Sequence, residues 1–301
     1  MNVWRTKEGN IPLLDDPTLK ITMFRWSRRP DIQLDIIQQR IETGQISELD
    51  IDITVTLANA KVLTEKQIRY LYRNVVDKGH KLGTRLRVLQ QNGWLEGWKL
   101  ENESNEREYV WTIGVAAKNF LGYAMGLQNL PNPLHFASSI GEQLHYPAIN
   151  EIRIKLLEKG LLKKERFEFH PFIAPEFEPP HAVFQIDTPL GKMEFIVERL
   201  QQKSKPLRFL KRKLSQYKSY FAKHEKLPTV YDDSTQSILV WSIASEEGID
   251  SLVSSYSNFE QEFMQLFLVD EYLDDLRTGW RLARPLEGNQ SEIQIFDMDF
   301  M

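Results

Sequence analysis

Nine lysines and arginines crowd residues 61–99, namely Lys61, Lys66, Arg69, Arg73, Lys78, Lys81, Arg85, Arg87 and Lys99. Three acids, Glu65, Asp77 and Glu96, stand against them, so the stretch is net +6 in a chain of net charge −4. The chemistry open to such a cluster is phosphate binding, because cations on a duplex backbone release its condensed counterions whatever the charge of the whole chain. Thr84 sits among them and is of a type that can also reach a base edge. A second block, residues 199–226, holds ten basic residues, including the run Lys211-Arg212-Lys213, and one acid, Glu225. His135 and His145, ten residues apart, are either a metal-ligand pair or ordinary solvated or core imidazoles. The absence of cysteine excludes disulfides, thiolate-bound zinc and cysteine nucleophiles together.

The first cluster lies on elements that the sequence marks out. Thr64-Glu65-Lys66-Gln67 has the form of a capping box, and Ile68, Leu71, Tyr72 and Val75 follow at helical spacing. Asp77-Lys78-Gly79 supplies a turn. A second helix is expected over residues 80–91, burying Leu82, Leu86 and Leu89 and directing Lys81, Thr84, Arg85, Arg87 and Gln90 elsewhere. Asn92-Gly93 ends it as a left-handed cap does. Residues 94–100 and 109–113 read as two strands around a polar tip. Helix, turn, basic helix and hairpin make a winged helix whose second helix would read the major groove of DNA. The other readings are a helical hairpin with a solvated basic face and a winged helix used as a protein-docking module.

Around this centre the chain reads as three regions: a lead-in over 1–45, the winged helix over 46–130, and an α/β domain over 131–301. In the lead-in, Arg25, Trp26, Arg28 and Arg29 form a basic-aromatic cluster, and Asp31 is placed to cap a helix running to Ile41. Residues 47–60 fit strand alternation and helical spacing alike, and the topology favours helix. Residues 114–160 read as helices broken at Pro131-Asn132-Pro133. Beyond residue 166 the period changes to strands over 166–170, 181–187 and 192–198, a basic helix over 206–222, a strand over 237–243, a helix over 246–256 and a strand over 264–269. That order is an α/β layer around a mixed sheet. Residues 246–301 carry thirteen acids against three arginines, and the alternating residues 293–300 suit a last strand, a docked peptide or a cover for a basic surface.

In the basic helix, Leu207, Leu210, Leu214, Tyr217 and Phe221 claim the apolar stripe. Lys211, Arg212, Lys213 and Lys218 are therefore expected on a charged face turned to water or to a polyanion. No acid lies between Arg199 and Lys223 to form i,i+4 pairs with them. Of the two polyanions available, DNA and the acidic segment 246–301, DNA is expected, as a second backbone contact through Lys211, Arg212 and Lys213 without base reading, with the acidic segment as a competitor. With 301 residues, 42% hydrophobic and 27% charged, the composition is that of a globular protein with room for two domains. There is no apolar run of membrane-spanning length and no signal-peptide core at the N-terminus, so a cytoplasmic protein without a membrane partner is expected.

The α/β half, with a proline-preceded hairpin, a carboxylate ending its second strand and a basic helix after it, resembles the PD-(D/E)xK nuclease core. The resemblance implies a divalent ion, Mg²⁺ or Mn²⁺, held by a first-strand carboxylate and a Glu-x-Lys, which activates water. Here Pro180 is followed by His181 where aspartate is expected, Glu198 fits the acidic position, and Leu200 stands where lysine should be. Lys203 or Lys205 is the nearest substitute, and Gln216 and Tyr220 match a Gln-x-x-x-Tyr pattern of RecB-like members. With two of its elements missing, this core is not expected to cleave. As a whole, the order of parts resembles the replication-relaxation family of Gram-positive plasmids and conjugative elements. That resemblance rests on Leu63–Ile68, Arg85–Leu95, Pro180–Val183 and Phe195–Glu198. It implies a double-stranded DNA-binding accessory in plasmid replication, mobilisation or their regulation, with replication or relaxation proteins as further partners. A transcriptional repressor acting as a homodimer and a metal-dependent nuclease are the alternatives.

Overall fold

A computed structural model describes residues 3–24, 33–75, 82–189, 191–255, 262–285 and 291–298, and these form a mixed α and β protein with two sheets. The chain divides into two compact units, Thr18–Asn150 and a second made of Met1–Pro17 with Glu151–Met301.

The Thr18–Asn150 unit begins with strand β1 (Lys20–Met23) and helix α1 (Leu34–Glu42). Helix α2 (Glu48–Ala60) settles the ambiguity at 47–60. Ser47 Oγ accepts the Asp50 N–H while Asp50 Oδ2 accepts the Ser47 N–H at 2.7 Å, so a capping box fixes the helix start. A two-residue strand β2 (Leu63–Thr64) leads into α3 (Glu65–Leu71), where Thr64 and Gln67 form the expected reciprocal caps at 3.0 and 3.1 Å. Helix α4 (Leu82–Gln91) follows. It ends in a left-handed cap, with Gly93 at φ +75°, Trp94 N–H donating to Leu89 O and Gly93 N–H to Gln90 O. Strands β3 (Leu95–Glu101) and β4 (Arg107–Ile113) form the hairpin, in register Leu95 with Ile113 and Trp98 with Val110. Strand β1 adds to the free edge of β3, and β2 to that of β4, giving the order β1-β3-β4-β2. Gly97 lets the hairpin close on Trp111, since a Cβ there would lie 2.5 Å from the indole. Leu57, Ile68, Leu86, Leu89, Trp94 and Trp111 make the core between helices and sheet.

Helices α5 (Val115–Tyr123) and α6 (Pro133–Ser139) follow, with Asn132 capping α6 and Pro133 at its first turn. The division between units falls inside α7 (His145–Glu158), later than the expected boundary at 130/131. The reason is a set of buried bonds: Gln67 Nε2 donates to Pro147 O, and Asn150 Nδ2 to Ala60 O and Val62 O.

The other unit is a seven-stranded sheet in the order β11-β10-β9-β8-β7-β6-β5. Strands β5 (Leu162–Phe169), β6 (Ala182–Thr188) and β7 (Gly191–Arg199) run antiparallel to one another. Helix α8 (Pro206–His224) carries the chain to β8 (Gln236–Ile243), and α9 (Glu246–Ser255) to β9 (Gln265–Val269), so β7, β8 and β9 are parallel. Strands β10 (Trp280–Pro285) and β11 (Ser291–Phe296) extend the β9 edge antiparallel, which makes a strand of residues 291–296. Leu210, Leu214 and Tyr217 of α8 and Ile249 and Leu252 of α9 pack on Val183, Ile196, Leu239 and Trp241. The N-terminal segment belongs here through Trp4, buried against Gly248, and through Asp15, which pairs with Arg199 Nη2 at 2.5 Å inside the unit.

Candidate nucleic-acid interface

Helix α4 presents Thr84, Val88 and Gln91 to solvent. Its two arginines are part-exposed and held by partners within the protein. Arg85 Nε donates to Asp50 Oδ1 at 2.8 Å, and its Nη2 donates to Asp50 Oδ2 and to Gln45 O. Asp50 is buried, so burial pushes its carboxyl up, but the Arg85 and Ser47 hydrogen bonds outweigh this and hold it below the ordinary range. The guanidinium of Arg87 lies 3.0 Å over the Phe24 ring and 5.8 Å from that of Tyr109. Gln90, expected to point away from the core, is buried and donates to Phe24 O. The cations that remain outward are on α3 and just beyond it. Lys66 is 82% exposed with Nζ 3.3 Å from Glu108, Arg69 pairs with Glu65 one turn away, and Arg73 lies over Tyr70. Lys78, Lys81 and the cluster Arg25, Trp26, Arg28 and Arg29 lie outside the described residues.

On the other unit α8 divides differently from expectation. Lys211 and Arg212 are exposed, and Arg212 pairs with Glu178. Lys213, read as part of the charged face, is 1% exposed. Its Nζ meets Glu198 Oε1 at 2.9 Å and donates to Pro179 O at 2.9 Å and Glu178 O at 3.2 Å, so three acceptors meet its three protons. Tyr217, one turn on, donates to the same Glu198 oxygen at 2.8 Å. Glu198 Oε2 lies 3.1 Å from His181 Nδ1, and the Arg199 backbone nitrogen lies 3.0 Å from the same ring nitrogen. Burial pushes the Glu198 carboxyl up; the imidazole of His181 and the ammonium of Lys213 outweigh it and hold it low. Burial pushes the Lys213 ammonium down and the Tyr217 hydroxyl well up.

The pair matching the family pattern, Gln216 and Tyr220, does not converge on Glu198. Gln216 reaches the Glu178 carbonyl at 3.5 Å, and Tyr220 packs on Phe177 and His224. Lys213 and Tyr217, also four residues apart, take that place. The missed signal was a lysine inside the apolar stripe Leu210, Leu214, Tyr217, a position that asks for a buried carboxylate partner. Lys205 is exposed and makes no such contact.

Glu198 does not suit Mg²⁺ or Mn²⁺. One oxygen is taken by an ammonium and a phenol, the ammonium repels a second cation, and hard cations ask for several oxygen ligands. Among the described residues no three His, Cys, Asp or Glu side chains are grouped to hold a metal ion. His135 is exposed beside Gln143, and His145 is buried with Nδ1 2.9 Å from Glu142 O. Among the described residues no helix is long and apolar enough to cross a membrane. No protein-family model, curated protein or solved structure matches the chain.

Proposed function

We propose that residues 48–113 are a winged helix binding double-stranded DNA, with α4 at the major groove and the β3–β4 hairpin as the wing. The α/β unit would then be a nuclease-like core used without cleavage, and the whole a DNA-binding accessory of a plasmid or conjugative element. The observation that carries the reading is the order α2-β2-α3-α4-β3-β4 with β2 paired to β4, which leaves the outer side of α4 uncovered by its own sheet. The residues on that side are of base-reading types: a hydroxyl at Thr84, an amide at Gln91 and an apolar contact at Val88. Lys66 and Arg69 supply phosphate contacts, which position the protein without reading sequence. Arg85 and Arg87 shape this surface from within.

Selection from a randomised duplex library with the full chain tests it. An enriched motif is expected, with Thr84→Ala and Gln91→Ala changing the preference and Lys66→Gln with Arg69→Gln weakening all sequences alike. A protected inverted repeat in footprinting would mark a dimeric repressor. Absence of duplex affinity even at low salt defeats the reading. It would favour protein docking on the same surface, for which Val75, 63% exposed, and the part-exposed Leu71 and Val88 are the motivating observation.

A further inference from the structure

The outer face of α8 is a cationic stripe on a helix about 28 Å long at ~1.5 Å per residue. Arg208, Arg212 and Lys223 are exposed on the side opposite Leu210, Leu214 and Tyr217, and exposed Lys211 and half-exposed Lys218 flank them along one edge. Ser215, Ser219 and Ala222 fill the spaces between them, so no bulky side chain separates the cations from an approaching surface. Arg208 and Arg212 stand one turn apart, a like-charge spacing that weakens a helix in water. Two carboxylates offset part of this charge, Glu178 at Arg212 and Glu176 at Lys223, and both lie on the loop between β5 and β6. The acidic C-terminal segment, the alternative cover, directs several of its carboxylates elsewhere. Glu246 pairs with Arg281, Asp270 with Arg199 and Asp274 with Lys155.

We infer that this stripe is a second, sequence-independent contact for the phosphate backbone of duplex DNA. Its partner class rests on the winged-helix reading, but its residues are separate from α3 and α4. A duplex presents about one charge per 1.7 Å of axis, so a straight cationic helix of this length can face most of one duplex turn. Small hydroxyl-bearing and alanine side chains between the cations allow phosphates to approach closely. A lipid surface fits less well, because membrane helices insert an apolar face, and that of α8 is buried on the sheet.

The test uses the full chain, a short random-sequence duplex, and vesicles of phosphatidylserine with phosphatidylcholine. Arg208→Gln/Lys211→Gln/Lys218→Gln is compared with Lys66→Gln/Arg69→Gln by fluorescence anisotropy across salt. Removing one phosphate-bound cation flattens the salt slope by ~0.9, so between about 50 and 200 mM salt the unaltered chain should lose about 40-fold more affinity than the α8 variant. The weakening should be equal on unrelated duplexes, with circular dichroism unchanged. An α8 variant with unchanged affinity and slope, beside a weakened Lys66/Arg69 variant, overturns the second contact and leaves the winged-helix reading standing. Stripe-dependent binding to vesicles but not to duplex overturns it in favour of a membrane, and no duplex binding by the unaltered chain overturns both.

Discussion

Replacing Lys213 by methionine keeps most of the apolar stem and removes the ammonium, which isolates the worth of one buried charge. In the intact protein that ammonium meets Glu198 Oε1 and the carbonyls of Pro179 and Glu178, within 2.9 to 3.2 Å. Without it, a carboxylate with no solvent exposure keeps the Tyr217 hydroxyl and the edge of His181, and two carbonyls are left short of a donor. Removing one member of a buried pair costs about 3–5 kcal/mol. For a unit of this size each kcal/mol is worth roughly 2–4 °C, so the melting temperature should fall by roughly 6–20 °C. Near-ultraviolet circular dichroism can follow this unfolding, since Trp241 and Trp280 are buried in the same unit. Adding Glu198→Gln removes the stranded charge, and the double variant should regain at least half of the deficit. A single variant melting within about 2 °C of the unaltered chain, or a double variant no better than the single, refutes the argument.

Three further outcomes are expected. Arg85→Ala should destabilise the Thr18–Asn150 unit by about 1–3 kcal/mol in urea denaturation, since it strands the buried Asp50, whereas Thr84→Ala should stay within about 0.5 kcal/mol. Equal effects would show that Arg85 does not tie α2 to α4. Gly97→Ala should cost about 1–3 kcal/mol, because its Cβ would meet Trp111 at 2.5 Å, and a neutral result in the same assay would mean that the hairpin yields there. Asp270 is pushed up to about 6 by burial; Arg199 pulls it down, and Asp15 and Glu151 push it further up. Its folded value thus lies above the unfolded ~3.9, so the fold favours the protonated form and stability rises as pH falls through 6. Between about pH 7.5 and 5.5 the gain should be ~1 kcal/mol in calorimetry, and Asp270→Asn should abolish it. A pH profile unaffected by that substitution would remove Asp270 as its cause.

Local signals in the sequence carried a large part of the fold. The capping box at Thr64 and Gln67, the left-handed cap at Gly93, the 95–113 hairpin and the order of strands and helices from 162 to 269 each depend on residues within a turn or a strand of one another. Propensity and spacing therefore suffice to reveal them. Strands β1 and β10 were not legible in the same way. The pattern Lys-Ile-Thr-Met is too short, and Trp-Arg-Leu-Ala-Arg-Pro too polar, to announce a strand, and each is defined by the sheet edge it joins.

The fate of the charges was decided by tertiary structure alone. Composition located the basic clusters, but whether a cation faces water depends on what packs over it and on whether a carboxylate comes with it. Arg85 finds Asp50 across 35 residues, Lys213 is matched to Glu198 from another element, and Arg199 takes its partner from the N-terminal segment 184 residues away. Such pairs form only where folding has already excluded water, because a lone buried charge is too costly and an exposed pair too weak to be selected by the chain locally. On the outer faces of α3 and α8 the carboxylates that come with the cations, Glu108 and Glu65 on one and Glu178 and Glu176 on the other, are likewise set by the fold.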